Sequence, residues 1–325
     1  MSFDQLMQHA HDIQTTAIAK AMEQRGVRQA SKPGDPPYTP RPGEDAVRAK
    51  ISADFADIAS LFEPFSAMPD PAAFDGLISY LDQAMGYLST GFMPDDPITG
   101  QVYPANETLT RIGASESYLE EWTGHAADRF RTDFVNTFPP IVVNQFVGCA
   151  VLHSALMAQQ ALWASARDDI DKVAHHTLNA LDNMDHCGQN RWTMSWTIVA
   201  SVAAVAAVPV SAGTSVLGGG LALGTATAVT AVGATGQVVA AHQVTPPKET
   251  EYHGETAEAV IEQMRHGVAE AISEIQHGEQ MIATALRQTH ASMSEHRGLF
   301  VAPRPKLLDA TPGSVFDDRY LGRER

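Results

Sequence analysis

The chain has few charges, few basic residues and almost no cysteine. Only 18% of its 325 residues are charged, and 22 Lys and Arg stand against 38 Asp and Glu, for a formal net charge of −16. This shortage of cations argues against a nucleic-acid partner, because affinity for a phosphate backbone rests largely on cationic neutralisation. Cys149 and Cys187 are too few for a disulfide framework and lack metal-ligand spacing. We therefore predict two free, buried or half-buried thiols.

Two further patterns are missing: a secretory signal peptide, and the alternation of apolar and polar residues that is typical of β-strands. The N-terminal residues contain neither the basic region nor the apolar core of a cleavable signal peptide. Sustained alternation of apolar and polar residues is absent, whereas apolar residues recur at steps of three and four in many windows. The sequence therefore predicts an all-α fold, in the form of an elongated helical bundle.

Proline, glycine and apolar stripes suggest where the helices lie. One helix is expected from Val47 to Phe62, ending near Pro64, and another from Ala126 to about Met184 with a kink at Pro139–Pro140. Asp70–Pro71 is typical of a helix start. The predicted domains are residues 1–43 (first helix and proline-rich linker), 44–190 (helical domain), 191–245 (apolar segment), 246–297 (long helix) and 298–325 (extended tail).

The most specific local feature is a turn between two helical patterns, around Trp122-Thr123-Gly124. Gly124 supplies the backbone freedom that the chain needs to leave one helix and enter the next. Trp122 can then lay its large apolar face over the junction. Ala126 and Ala127 lack bulk, so that two helices can approach closely, and Phe130 continues the buried face. An ordinary helical corner with a buried Trp would show the same packing.

This stretch resembles the Trp-X-Gly (WXG-type) helical-hairpin family of type VII secretion substrates. The residues that match are Trp122, Gly124, Ala126, Ala127 and Phe130. The order of parts is similar to the larger secretion-associated proteins of the EspA/EspE type, in which a small-residue hydrophobic stretch follows the hairpin. Pro139–Pro140 and the length of the chain depart from the small members of the family. The resemblance implies structural roles for the hairpin residues, and no chemistry.

The family also implies an export signal of the form Tyr-X-X-X-Asp/Glu. Tyr320 and Glu324 fit this pattern near the end of the sequence. Their spacing would place both side chains on one face if the segment became helical on binding a translocase. A flexible charged tail is the alternative interpretation.

The shortage of charge has a local origin, because no residue from Trp192 to Ala241 is charged. The segment could form a helical hairpin of small residues, broken at Gly218–Gly220. Gly220 and Gly224 are spaced for close helix–helix contact, and Trp192 and Trp196 would suit a membrane–water interface. Three interpretations stay open: a packed internal helix pair, membrane insertion after export, or a seam between copies of the chain.

No catalytic, metal or cofactor site is predicted. The densest set of possible ligands comprises His175, His176, Asp182, Asp185, His186 and Cys187. One straight helix cannot gather residues 175 and 186 around a single ion, because they lie about 16 Å apart along its axis. No Gly-X-Ser-X-Gly nucleophile elbow occurs, and no Lys follows Gly218–Gly220 as in a phosphate loop.

These observations lead to two hypotheses for the function. The first is a non-enzymatic substrate or structural effector of a type VII (ESX-like) secretion system, secreted or at the cell surface without a cleavable signal peptide. It would act by self-assembly and through membrane insertion, with a secretion chaperone or translocase as a further partner. The alternative is a cytoplasmic all-helical scaffold or adaptor whose apolar hairpin is only core.

Overall fold

The computed structural model describes residues 3–27, 39–90, 100–118, 121–184, 191–206, 246–301, 309–317 and 320. These residues are mostly helical, and two strands form a small antiparallel sheet. The prediction of an all-α fold is therefore confirmed in its coarse form. The two strands were not predicted.

The elements follow one another in a simple order. The helices are α1 (Leu6–Gln24), α2 (Glu44–Asp54), α3 (Ile58–Ser66), α4 (Asp75–Leu88), α5 (Glu107–Tyr118), α6 (His125–Phe130), α7 (Phe138–Asp182), α8 (Ile198–Ala206) and α9 (Ala257–Glu295). The strands are β1 (Arg191–Trp196) and β2 (Lys248–His253). A π-helical turn, Arg131–Val135, follows α6, and short 3-10 turns lie at Phe3–Gln5, Pro71–Phe74 and Arg297–Leu299.

The contacts group these elements into two compact units, each drawn from separate stretches of sequence. Unit 1 contains α1–α3, α7 from Gln159 onward, β1, α8 as far as Ala204, β2, and α9 as far as Met281. Unit 2 contains α4–α6, the π-helical turn, α7 as far as Ala158, and α9 from Ile282 onward. The domain boundaries proposed above follow the order of the sequence and stay predictions.

The core of unit 1 starts from a narrow stripe on α1. Its residues recur at helical spacing and are at most 2% exposed: Leu6, Ala10, Ile13, Ala17 and Ala21. Three of the five are alanines, so neighbouring backbones can approach α1 closely. The helix contacts α2 and α3. This first helix and the final long helix, α9, were both predicted from their apolar stripes.

The helix predicted over Val47–Phe62 is instead two helices, α2 and α3, separated by a turn. Phe55 lies at this turn and is 2% exposed. The Phe55 carbonyl accepts a hydrogen bond from Gln14 Nε2 at 3.0 Å, and the Asp54 carbonyl accepts one from Arg265 Nη2 at 3.0 Å. Because distant side chains satisfy these carbonyls, the first helix can end here at little cost. The helix α3 then runs two residues past Pro64, to Ser66.

The strands correct the helical prediction for Trp192–Trp196. Strand β1 pairs with β2 from Arg191 opposite His253 to Trp196 opposite Lys248. Trp192, Met194 and Trp196 alternate with Thr193 and Ser195, and this period of two places the apolar side chains on one face of the sheet. The strand was missed because its alternation is short and its partner lies some fifty residues further along the chain.

Unit 2 forms its core around the first half of α7. Met85 of α4, Tyr103, Phe146 and Ala150 make one buried cluster, against which Leu88 and Cys149 pack. The rings of Tyr103 and Phe146 meet edge to face at 5.7 Å. Cys149 is a free, half-buried thiol, as predicted. Burial raises the pKa of this thiol. Cys187 lies outside the described residues.

The sequence predicted one continuous helix with a kink at Pro139–Pro140, and this prediction is wrong. The helical path is broken just before them, at Asn136–Thr137, and α7 begins at Phe138. The two prolines therefore occupy the first turn of α7, where the backbone N–H groups have no intrahelical partner in any case. The Thr137 hydroxyl donates back to the Phe134 carbonyl at 3.0 Å and helps to close the preceding π-helical turn.

Candidate interaction sites

The Trp-X-Gly turn is built on a glycine that no other residue replaces easily. Gly124 caps the N-terminus of α6 with φ +104° and ψ 170°. A residue with a Cβ is strained at such a positive φ. Arg131 Nη2 donates to the Trp122 carbonyl at 2.9 Å and ties the turn to the π-helical segment that follows. The helix α5 also contacts that segment.

Four rings form a continuous row from this turn toward α7, and we call Trp122, Phe130, Phe134 and Phe138 the aromatic strip. Successive ring centroids are 5.6, 5.3 and 6.1 Å apart. The Trp122 side chain was expected to be buried over the junction, yet the residue is 41% exposed. It lies against Phe130 instead. Ala127 is buried as expected, while the side chain of Ala126 is not described.

The start of the charge-free segment lies in the core of unit 1. Trp196 is 1% exposed, and its Nε1 donates to Thr250 Oγ1 at 3.1 Å. Trp192 stacks on Tyr252, the residue opposite it in the sheet, with ring centroids 5.7 Å apart. Both rings are thus occupied within the protein fold. The expectation that the two tryptophans would suit a membrane–water interface stays a prediction.

A polar network covers the same strands on the side of α9. Tyr252 donates its hydroxyl to Glu270 Oε2 at 2.6 Å, and Lys248 Nζ lies 3.3 Å from Glu270 Oε1 and 3.4 Å from Glu274 Oε1. Burial alone would raise the pKa of Glu270, but the hydrogen bonds from Tyr252 and Lys248 outweigh it and hold this pKa below its ordinary value. Burial and the bond to Glu270 together raise the pKa of Tyr252.

The Glu270 network is expected to lose its contribution to stability in acid. Since folding lowers the pKa of Glu270, its contribution is complete above the unfolded pKa of about 4.3 and is lost as the pH falls through the folded value. We expect Glu270→Gln to be less stable than the parent at pH 6, with the gap narrowing toward pH 3. Urea unfolding at several pH values measures the difference in the free energy of unfolding between the variant and the parent. Glu279→Gln, on an exposed part of the same helix, is the control, and a gap that stays constant with pH would contradict the prediction.

A buried carboxylate holds the first turn of α8. Asp169 is fully buried and accepts hydrogen bonds from the Thr197 backbone N at 2.7 Å and from Thr197 Oγ1 at 3.1 Å. Lys172 Nζ lies 3.3 Å from the same carboxylate. Burial raises the pKa of Asp169, and the Thr197 amide and Lys172 only partly offset this. Asp169 thereby ties Thr197, the residue directly before α8, to α7.

The remaining residues singled out from the sequence are only partly described. Gly220, Gly224 and Glu324 lie outside the described residues. Tyr320 donates its hydroxyl to the Asp309 carbonyl at 3.1 Å. Its backbone N–H bonds to Asp317, at the end of a run of turns over 311–317. These turns correct the expectation of an extended tail for this part of the chain.

Two buried histidines, each beside an aspartate of another helix, were not anticipated. His9 Nδ1 of α1 lies 3.4 Å from Asp171 Oδ1 of α7 in unit 1. In unit 2, His153 Nε2 lies 3.3 Å from Asp82 Oδ1, which also accepts the Tyr103 hydroxyl at 2.7 Å. In the sequence, each pair could have been indicated by a histidine that lies within an apolar stripe. Each pair joins two helices, and neither adjoins a cavity of ligand size.

The described residues do not assemble an evident metal or ligand site. No group of three His, Cys, Asp or Glu side chains among them could hold a metal ion, and Asp185, His186 and Cys187 lie outside them. In unit 2, α7 and α9 leave a cavity of about 40 Å³ lined by Gly148, Met293 and His296 among others. Small-molecule sites typically measure about 300–1,000 Å³, so this cavity is far too small for an organic ligand.

One described stretch, Ala127–Asp182, is long and apolar enough to cross a membrane by length and composition. Of its most apolar window, 56% is buried inside the protein, as is usual for a core helix. Comparisons of the chain with protein-family models, curated proteins and solved structures find no match.

Proposed function

We propose that the chain is a non-enzymatic substrate of a type VII (ESX-like) secretion system and acts outside the cytoplasm by assembly. The observation that carries the proposal is the Trp122–Gly124 turn. Its glycine caps α6 at a positive φ, and its tryptophan begins a row of four aromatic rings. The sequence resemblance to the WXG-type hairpin family rests on this same turn.

The aromatic strip gives the turn a means of acting on a partner. Trp122 is 41% exposed, and Phe130, Phe134 and Phe138 are each partly exposed. Aromatic side chains are enriched at protein interfaces because they bury a large area with few rotatable bonds. The strip is therefore our proposed contact surface, either for a second copy of the chain or for a secretion chaperone. Tyr320 and Glu324 are the proposed signal for the translocase.

An intracellular scaffold is the second candidate, and one observation favours it. Trp196, Ile198 and Val202, at the start of the charge-free segment, are buried in unit 1. In a scaffold whose apolar segment is only core, the first residues of that segment would be buried in the same way. This candidate predicts a monodisperse monomer that stays in the cell.

Export is tested by expressing the full chain in a bacterium with a type VII system and in the same strain lacking the translocase ATPase. We expect the protein in the culture filtrate of the first strain alone, with a cytosolic enzyme as the marker for lysis. Tyr320→Ala should abolish export. Tyr80→Ala, which alters an exposed tyrosine of α4, should leave it unchanged.

The outcomes separate the parts of the proposal. If the filtrate holds no protein, or equal amounts from both strains, the secretion proposal is wrong and the scaffold is favoured. If Tyr320→Ala is exported like the parent, the proposed signal alone is wrong.

A further inference from the structure

The small sheet of unit 1 leaves one edge of β2 without a neighbouring strand. In an antiparallel pair, alternate residues turn both their N–H and their C=O groups away from the partner strand. Among the described residues, no backbone group outside β1 hydrogen bonds to the backbone of β2. The outer edge of β2 therefore presents backbone donors and acceptors with which a further extended strand can pair.

The strand β2 is accessible to solvent and already held in place. The side chains of Lys248 and His266 are 55% and 60% exposed. His266 belongs to α9, and its ring lies 6.2 Å from the ring of Tyr252. Because Tyr252 and Lys248 both bind Glu270 of α9, β2 is fixed on that helix. A partner strand would therefore meet an extended edge that needs no rearrangement.

The exposed face of β2 carries two negative charges. Glu249 and Glu251 lie on this face, opposite Ser195 and Thr193 of β1. Within the part of the chain that the structure describes, neither carboxylate forms an ion pair. Lys248, the one Lys or Arg of β2, faces the other way and binds two carboxylates of α9. The outer face of the strand is thus left with two acidic side chains at alternate positions.

These two charges determine which strand can be added. Antiparallel pairing of β2 with the β2 of a second copy would bring like charges together, in a chain whose net charge is −16. Residues two apart in a strand lie on the same face. A strand with Lys or Arg at alternate positions would therefore place a cation beside Glu249 and another beside Glu251, as favourable cross-strand pairs.

We propose that the outer edge of β2 binds an extended polypeptide segment in which basic residues alternate with uncharged ones. Backbone hydrogen bonds to the edge supply the pairing, and the two glutamates supply the preference for a basic sequence. This surface belongs to unit 1 and is separate from the aromatic strip, which belongs to unit 2. Its test does not depend on export.

The probe is a synthetic peptide, Val-Lys-Thr-Lys-Val-Lys-Thr, with blocked ends, titrated into the full chain by calorimetry. A peptide of the same composition with its three lysines in succession should bind more weakly, and one with glutamate in place of lysine should not bind. The double variant Glu249→Gln/Glu251→Gln should weaken binding of the first peptide by roughly tenfold, since it loses two cross-strand charge pairs. Glu63→Gln/Glu279→Gln removes the same charge at exposed positions elsewhere in unit 1 and should leave the affinity unchanged.

A second pair of peptides tests the backbone pairing. In a strand, the N–H groups of alternate residues point to opposite edges. We therefore expect N-methylation of the three lysines and N-methylation of the spacer residues to differ, with one abolishing binding and the other preserving it. Amide hydrogen exchange should show added protection in β2 when the unmethylated peptide is bound.

Three results would overturn the proposal. The first is equal binding by both methylated peptides and the parent peptide, which would indicate attraction between charges without strand pairing. The second is an unchanged affinity in Glu249→Gln/Glu251→Gln. The third is protection of β2 that rises with the concentration of the protein alone, which would make a second copy the occupant of the edge.

Discussion

Replacing Trp196 with alanine is expected to lower the free energy of unfolding by about 3–5 kcal/mol. The residue is 1% exposed, so the substitution leaves a large cavity in unit 1. It also removes the hydrogen bond from Nε1 to Thr250, whose hydroxyl lies in the network around Glu270. Equilibrium urea unfolding, followed by circular dichroism, measures the loss.

Trp122→Ala serves as the matched control for this result. The same side chain is removed there from a position that is 41% exposed, and we expect a clearly smaller loss than at Trp196, because no enclosed cavity is left behind. A Trp196→Ala variant as stable as the parent would mean that Trp196 is not a core residue.

Gly254→Ala is expected to cost about 1–3 kcal/mol, a typical penalty for overpacking. Gly254 follows β2 directly and lies against the start of α9. A Cβ at this position would come within 2.7 Å of Val260 Cγ2 and within 2.9 Å of the Val260 backbone N. A side chain could turn away from such a contact, but a backbone amide inside a helix cannot. The link between β2 and α9 must therefore shift, which thermal unfolding would report.

Gly267→Ala is the control for this substitution, because it makes the same chemical change without a clash. A Cβ at Gly267 would meet Val173 at 3.4 Å and the Tyr252 hydroxyl at 3.5 Å, which are ordinary contacts. Alanine has a higher helix propensity than glycine by about 1 kcal/mol, so we expect the variant to be as stable as the parent or more stable. Equal destabilisation by both substitutions would contradict the role given to Gly254.

The long helices could be predicted from the sequence because their signals are local. In α1 and α9 the buried residues recur every three or four positions over many turns, and each repeat adds to the same pattern. The sequence also indicates the glycine of the Trp-X-Gly turn, since a helix junction there requires a residue that tolerates positive φ. These features depend on residues close together in the chain.

The features that could not be predicted depend on partners far away in the chain. The turn between α2 and α3 is stabilised by Arg265, more than two hundred residues later, which binds the Asp54 carbonyl and both carboxylate oxygens of Asp57. The strand β1 becomes a strand by pairing with β2. The π-helical turn, from which Arg131 binds the Trp122 carbonyl, likewise has no simple sequence signal.

The composition of unit 1 from separate stretches has a consequence for synthesis on the ribosome. Its helices α1–α3 come first in the sequence, but Gln24 at the end of α1 and Arg25 just after it bind Ala257 and Glu258 of α9. A nascent chain emerges N-terminus first, so α1–α3 are exposed long before α9 is made. Neither unit can be completed as a contiguous N-terminal domain during translation. The sides of α1–α3 that meet α7 and α9 therefore lack their native partners until most of the chain has emerged.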